Sequence, residues 1–166
     1  MIKYLLLFGI FGLTTFLGFE FSKTYTKKTH FYNDILTFCK VLKSEISFLK
    51  TDILTIISRE RYESDLSKIL TQISSKMESS NGLNKEDIQQ ILTKYSFLSS
   101  KDNELLCGLF CNLGRLSYQE QIAELEYYIA CFDEESSKQQ EKSIKMAPLC
   151  KKMGILIGIT ICILLI

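Results

Sequence analysis

The side chains best suited to catalysis or metal binding are one histidine and one pair of cysteines. His30 is the only histidine, and it could act as a general base or a metal ligand, although its place beside Phe31 favours a solvated histidine. Cys107 and Cys111 are four residues apart, so on a helix they share a face and could hold zinc with two further ligands. No second pair has zinc-like spacing, and apolar neighbours such as Phe110 favour thiols packed in a core. We therefore expect no metal site.

Motifs for nucleotide or ester chemistry are absent from the sequence. It has neither the glycine-rich loop ending in Gly-Lys-Ser/Thr that holds phosphates nor the Gly-x-Ser-x-Gly turn that exposes a nucleophilic serine. Nucleic acid is not an expected partner, because residues 29–150 hold 14 basic and 18 acidic side chains, a net charge of −4. We expect a protein that is not an enzyme, with no catalytic residue and no cofactor.

A series of acidic side chains is the remaining polar feature, and no basic residue interrupts it. Its members are Glu120, Glu124, Glu126, Asp133, Glu134 and Glu135. Such a series is typical of a solvated helix face, but it could also attract a basic protein or a divalent cation.

Two uncharged apolar blocks at the ends of the chain must position everything between them. They are Tyr4–Phe19 and Met153–Ile166. As helices they would be ~24 and ~21 Å long at 1.5 Å per residue, against a hydrocarbon core of roughly 30 Å. We interpret both as membrane-spanning. The alternatives are a cleaved signal peptide for the first block and a buried terminal helix for the second.

Lysines flank both blocks on the side of the central segment. They are Lys23, Lys27, Lys28, Lys142, Lys145, Lys151 and Lys152. Lysines concentrate on the cytoplasmic side of membranes, so we expect the central segment to be cytoplasmic. Six irregularly spaced cysteines, with no disulfide pattern, agree with a reducing compartment. Gly154 and Gly158 form a GxxxG pattern, a candidate for close helix packing in the membrane and for a homo-oligomer.

The central segment reads as helical throughout, because apolar residues recur every three or four positions. The first and longest stripe consists of Phe31, Ile35, Phe38, Leu42, Ile46, Leu49, Ile53 and Ile56. Four further stripes begin near Leu66, Ile88, Leu105 and Ile122. They predict an antiparallel bundle of five helices.

Capping and turn residues mark the ends of these helices. Asn84 and Ser99 or Ser100 are candidate N-caps, and Ser117 with Glu120 has the spacing of a capping box. Residues 79–82 (Ser-Ser-Asn-Gly) predict a turn, and Gly114 predicts a helix C-terminus in the left-handed conformation.

The predicted fold class is all-α, a helical bundle flanked by N-terminal and C-terminal transmembrane helices. The predicted domains are an N-terminal membrane anchor at residues 1–22, a cytoplasmic bundle at 23–150 and a C-terminal membrane anchor at 151–166.

Several segments along the whole chain together resemble one known family. They are Gly18-Phe19-Glu20 with Tyr25, Leu42-Lys43-Ser44-Glu45-Ile46, Leu113-Gly114-Arg115-Leu116-Ser117 with Gln121 and Leu125, residues 152–158, and residues 162–166. The chain is similar in these segments to stage III sporulation protein AB of endospore-forming bacteria. The family usually continues with Ser-Asp after this Leu-Gly segment, whereas here Ser117 is followed by Tyr118.

The resemblance implies a function in a membrane complex. Proteins of this family are similar to the inner-membrane platform protein of type II secretion and type IV pilus machines, whose cytoplasmic domains are helical bundles. The implied role is a scaffold in a secretion-like channel between mother cell and forespore, in the mother-cell membrane around the forespore. The implied partners are a secretion-type ATPase and other stage III sporulation channel proteins.

We expect the partner to dock on one part of the central segment. The candidate residues are Gly114, Ser117, Glu120, Gln121 and Glu124, at a turn and on the acidic helix that follows. Exposed acids attract a basic partner and speed encounter. The alternative is a membrane-tethered adaptor or regulatory module outside any secretion machine, which the identity of its partners would distinguish.

The lysine distribution predicts the topology. A single cysteine at position 80 (Ser80→Cys, with the native cysteines replaced) should not react with a membrane-impermeant maleimide in intact cells, and should react after lysis. Ready labelling in intact cells would reverse the predicted orientation.

Overall fold

The computed structural model describes the backbone of residues 2–49, 53–59, 62–79 and 84–165. Six α-helices account for most of these residues, and no strand occurs in the described ranges. The helices are α1 (Ile2–Leu49), α2 (Ile53–Arg59), α3 (Leu66–Ser79), α4 (Lys85–Leu92), α5 (Ser100–Asn112) and α6 (Tyr118–Leu165). The all-α prediction is confirmed.

The two terminal blocks are not separate helices. α1 and α6 each have 48 residues, and each continues from an apolar block into the central segment without a break. α6 also contains Pro148, which lacks an N–H and so removes one intrahelical hydrogen bond. Each predicted terminal helix is thus one end of a longer helix, because apolar and amphipathic segments are equally compatible with one continuous helix, and a separate N-terminal transmembrane helix is not shown.

The chain divides into two compact units. One contains Met1–Thr29 and Ser137–Ile166, and the other contains His30–Ser136. The predicted boundaries at 22/23 and 150/151 concern entry into a membrane, and they stay predictions.

The second unit is built on the predicted apolar stripes. Its fully or nearly buried side chains include Phe31, Ile35, Phe38, Leu42, Ile46, Ile56, Leu66, Ile69, Leu70, Ile73, Ile88, Leu92, Leu106, Leu109, Phe110, Leu125 and Phe132. Aromatic rings meet in this core, with centroids 5.3 Å apart for Phe31 and Phe97 and 6.3 Å apart for Phe38 and Phe110. Such contacts add to the apolar burial that holds the bundle together.

The first stripe lies on α1 and α2. Its described side chains on α1 are buried as far as Ile46, and on α2 Ile56 is buried and Ile53 is partly buried. Residues 50–52 lie outside the described residues, so the prediction of a single helix for this stripe stays a prediction.

The capping residues in the structure agree with most of the predicted helix ends. Ser99 forms a reciprocal capping box with Asp102, and Gly114 has a φ of 80° after the end of α5. Asn84 occupies the N-cap of α4 without a side-chain capping bond. Glu120 accepts the backbone N–H of Ser117 at 3.1 Å, as a capping box requires of its carboxylate. The turn predicted at 79–82 lies outside the described side chains.

A buried polar network accompanies the apolar core. Tyr32 is 1% exposed, and burial together with a hydrogen bond to Asp102 raises the pKa of its phenol. Asp102 also accepts the backbone N–H of Ser99 at 2.8 Å. The hydroxyl of Ser136 on α6 donates to the side-chain oxygen of Asn33 on α1 at 2.5 Å. These bonds compensate the cost of removing polar groups from water.

The core predicts how single substitutions change stability. Leu42→Ala should lower the free energy of unfolding by about 2–5 kcal/mol, because Leu42 is fully buried and its truncation leaves a cavity. Lys40→Ala, at an exposed position of the same helix, should change it by less than about 0.5 kcal/mol. Denaturant titrations of the full chain in mild detergent, followed by near-UV circular dichroism, measure both values. Equal effects would show that the stripe is not buried.

Candidate membrane hairpin and partner-docking surface

The first unit brings the backbones of α1 and α6 into direct contact at two glycines. A Cβ atom built on Gly18 would lie 2.9 Å from the Cα atom of Gly154 and 2.9 Å from the carbonyl oxygen of Cys150. Side-chain atoms do not approach backbone atoms so closely, so only glycine fits at this contact. Close backbone approach at small residues is the usual way in which helices associate in a membrane.

The contact extends along both helices from this point. A Cβ on Gly158 would lie 2.5 Å from the hydroxyl oxygen of Thr14. Beyond it, the thiol of Cys162 donates to the carbonyl oxygen of Leu7 at 3.7 Å. In the other direction, the hydroxyl of Thr29 donates to the carbonyl oxygen of Gln139 at 3.2 Å. We call this pair of helical segments, residues 7–29 and 137–165, the hairpin.

The predicted GxxxG face therefore lies against α1 of the same chain. Gly154 and Gly158 are both buried in this contact. Self-association through these glycines stays a prediction, and it would have to compete with the contact inside one chain.

Towards the ends of the chain, the outer surface of the hairpin is apolar. Exposed large side chains include Phe8, Leu13, Phe16, Phe21, Leu156, Ile159, Ile163 and Leu164. In water such a surface is costly, whereas in hydrocarbon it is not.

One helix in the described part of the chain, α6, is long and apolar enough to cross a membrane. Its most apolar window has a mean hydropathy of 1.9, and only 11% of that window is buried. This helix could anchor the protein in a membrane. The first block, Tyr4–Phe19, begins among residues whose side chains lie outside the described structure, and its span stays a prediction.

The second unit contains the residues predicted to dock a partner, and three of them lie at an exposed turn. Gly114, Ser117 and Glu120 are exposed, and the φ of 80° at Gly114 reverses the chain between α5 and α6. A Cβ on Gly114 would lie 3.6 Å from a methyl carbon of Ile53, so this turn packs on α2.

Glu120 is held as an anion at this turn. Its carboxylate accepts the hydroxyl of Ser117 at 2.6 Å and the backbone N–H of the same residue at 3.1 Å. These two bonds lower the pKa of Glu120 below its usual value. The charge near the N-terminus of α6 also suits the dipole of that helix.

The other two docking candidates are less accessible. Gln121 is 6% exposed and points into the bundle. Glu124 is partly buried and accepts a hydrogen bond from the side-chain amide of Asn112. The acidic series also does not act as one free surface, because Glu126 pairs with Lys43 at 2.7 Å.

Three exposed apolar side chains near this turn were not predicted from the sequence. Phe48 is 83% exposed, Tyr118 42% and Leu116 36%. The hydroxyl of Tyr118 donates to the carbonyl oxygen of Ser47 at 2.7 Å, which joins the turn to the end of α1. We call Phe48, Gly114, Leu116, Tyr118 and Glu120 the docking surface. Leu116 and Tyr118 could have been noticed as large apolar residues beside a turn glycine, and Phe48 as an aromatic residue off the stripe.

Of the candidate catalytic and metal-binding side chains, the structure brings Cys107 and Cys111 together. His30 is exposed on α1. The sulfur atoms of Cys107 and Cys111 are 3.8 Å apart on α5, and burial raises the pKa of Cys107 to about 11. A thiol with this pKa is a poor nucleophile at neutral pH. In the described ranges, no group of three or more His, Cys, Asp or Glu side chains is placed to hold a metal ion.

A comparison with models of protein families identifies the family of this chain. Residues 3–166 match the model described as stage III sporulation protein AB. The chain belongs to this family. The resemblance found in the sequence is therefore confirmed, and the family connects the protein with sporulation. Searches of curated proteins and of solved structures gave no match.

The glycine contact predicts opposite effects of the same substitution at two positions of α1. Gly18→Ala should lower the thermal stability of the hairpin, because the new methyl group meets backbone atoms and overpacking costs about 1–3 kcal/mol. Gly12→Ala should raise it slightly, because nothing lies within 4 Å and alanine is the better helix former by about 0.5–1 kcal/mol.

Thermal melts of the full chain in mild detergent, followed by far-UV circular dichroism, measure this difference. A higher melting temperature for both variants would contradict the backbone contact of Gly18.

Proposed function

We propose that the protein is a membrane-anchored scaffold in a secretion-like channel complex between mother cell and forespore. The observation that carries this proposal is the match of nearly the whole chain to the stage III sporulation protein AB family. We further propose that the protein lies in the mother-cell membrane around the forespore, with the bundle at residues 23–150 in the cytoplasm.

The architecture supports a scaffold in two ways. The hairpin offers an apolar surface suited to a bilayer, and the central unit is a well-packed bundle with an exposed docking surface. Packed helices hold such a surface in a fixed position, so a partner does not have to order it on binding.

The proposed partner of the docking surface is a secretion-type ATPase or another channel protein of the same complex. Exposed aromatic and aliphatic side chains supply the apolar contact that interfaces use at their centres. Glu120 at the edge of this contact favours a partner with a basic rim. We propose no chemical step for this chain.

Reversal of one charge tests the docking proposal. Glu120→Lys should leave the overall fold and membrane insertion intact, because Glu120 is exposed and its bonds to Ser117 stabilise only the first turn of α6, yet it should abolish co-purification with the ATPase and reduce sporulation. Glu104→Lys is the matched control, since it makes the same charge change at an exposed position of α5. Co-purification from sporulating cells and counts of heat-resistant spores measure the two effects.

Substitutions at the candidate catalytic and metal-binding residues complete this test. His30→Ala and the double variant Cys107→Ser/Cys111→Ser should leave sporulation largely intact when the proteins fold. Loss of sporulation in folded, inserted variants of these residues, with no effect of Glu120→Lys, would contradict the docking function. Capture of unrelated membrane proteins in place of channel components would favour an adaptor outside any secretion machine.

A further inference from the structure

An apolar groove runs along one side of the hairpin. It has a volume of about 290 Å³. Its lining consists of Thr14, Leu17, Gly18, Phe21, Cys150, Met153, Gly154 and Ile157. Four residues of each helix, spaced over two turns, thus form a groove about 10 Å long.

The groove exists because of the glycine contact. Where Gly18 meets Gly154 the helices have no side chains to fill the space beside the crossing, and the larger Leu17, Phe21 and Met153 form its walls. The lining is almost wholly apolar, so water gains few hydrogen bonds there and a hydrocarbon occupant is favoured.

The dimensions of the groove select the kind of occupant. Two turns of a helix 10–12 Å across would take up roughly 850–1,200 Å³, several times the volume of the groove. A neighbouring helix could insert no more than a side chain. A single acyl chain is slim enough to lie along the groove.

Charge at one end of the groove selects the headgroup. Residues 20–29 and 137–152 contain eight lysines and two glutamates, a net charge of +6. Phe21 and Cys150 lie at the end of the groove nearest these residues, and Lys151 and Lys152 lie on α6 between the lining residues Cys150 and Met153, beside that end. The ammonium of Lys151 lies 5.5 Å from the ring centre of Phe19, which keeps this cation beside the hairpin.

We propose that the groove binds one acyl chain of an anionic phospholipid whose phosphate lies among these lysines. Clusters of lysines next to membrane helices attract anionic lipids, and an apolar groove beside them adds a specific contact. This inference rests on the proposed insertion of the hairpin into a bilayer. It assigns the lipid a place in the folded protein, beyond the general attraction of a basic segment to a membrane.

The experiment uses the full chain in vesicles of equal parts phosphatidylglycerol and phosphatidylcholine. After mild detergent extraction, native mass spectrometry counts the lipids that each chain retains. Met153→Trp fills the groove, and Leu156→Trp is the matched control, because Leu156 is 57% exposed on the same helix and does not line the groove.

The wild type and Leu156→Trp should retain one phosphatidylglycerol per chain. Met153→Trp should show roughly tenfold lower occupancy, the effect of losing the burial of about two methylene groups. The double variant Lys151→Gln/Lys152→Gln should lose most of the preference for phosphatidylglycerol over phosphatidylcholine.

Four outcomes would overturn the proposal. They are equal retention by Met153→Trp and the wild type, equal retention of both lipids by the wild type, an unchanged lipid preference in the lysine variant, and oxidative cross-linking of Cys150 between two copies, which would place a second chain in the groove. Flotation with the vesicles is measured separately. A protein that does not float contradicts the proposed membrane function, whereas one that floats without a retained lipid contradicts only the groove.

Discussion

The close contact of Gly18 with Gly154 is the constraint on which the hairpin depends. Helices in hydrocarbon gain little from hiding apolar surface from water, because lipid tails are equally apolar. In the proposed membrane insertion, dispersion between closely packed backbones supplies the attraction, and a single methyl group at either glycine would separate the helices. The hydrogen bonds from Thr29 to Gln139 and from Cys162 to Leu7 show that the contact holds along most of the hairpin.

The same two helices pack in a different way in the second unit. There α1 and α6 present apolar stripes to α2–α5, and the hydrophobic effect of water drives the packing. One continuous helix thus uses small residues in one segment and large apolar residues in another, according to its surroundings. α1 and α6 each continue as one helix from the hairpin into the second unit.

The surface chemistry of the bundle agrees with a binding function. Its cysteines at positions 39 and 107 are buried, and burial raises the pKa of both thiols. Polar groups at the exposed turn are instead arranged to keep Glu120 charged beside apolar side chains. Charge beside apolar surface is an arrangement suited to recognition of a protein partner.

The sequence by itself determined the all-helical fold, the core residues, several caps and the family. These features are local: a stripe of apolar residues, a cap at Ser99 or Ser100 and a left-handed glycine at position 114 each follow from neighbouring residues, and the structure selects Ser99 as the cap. Tertiary structure decided the partner of Gly154, the burial of Gln121 and the exposure of Phe48. Each of these depends on which helix packs against which, and periodicity along one chain carries no information on the distance between segments far apart in sequence.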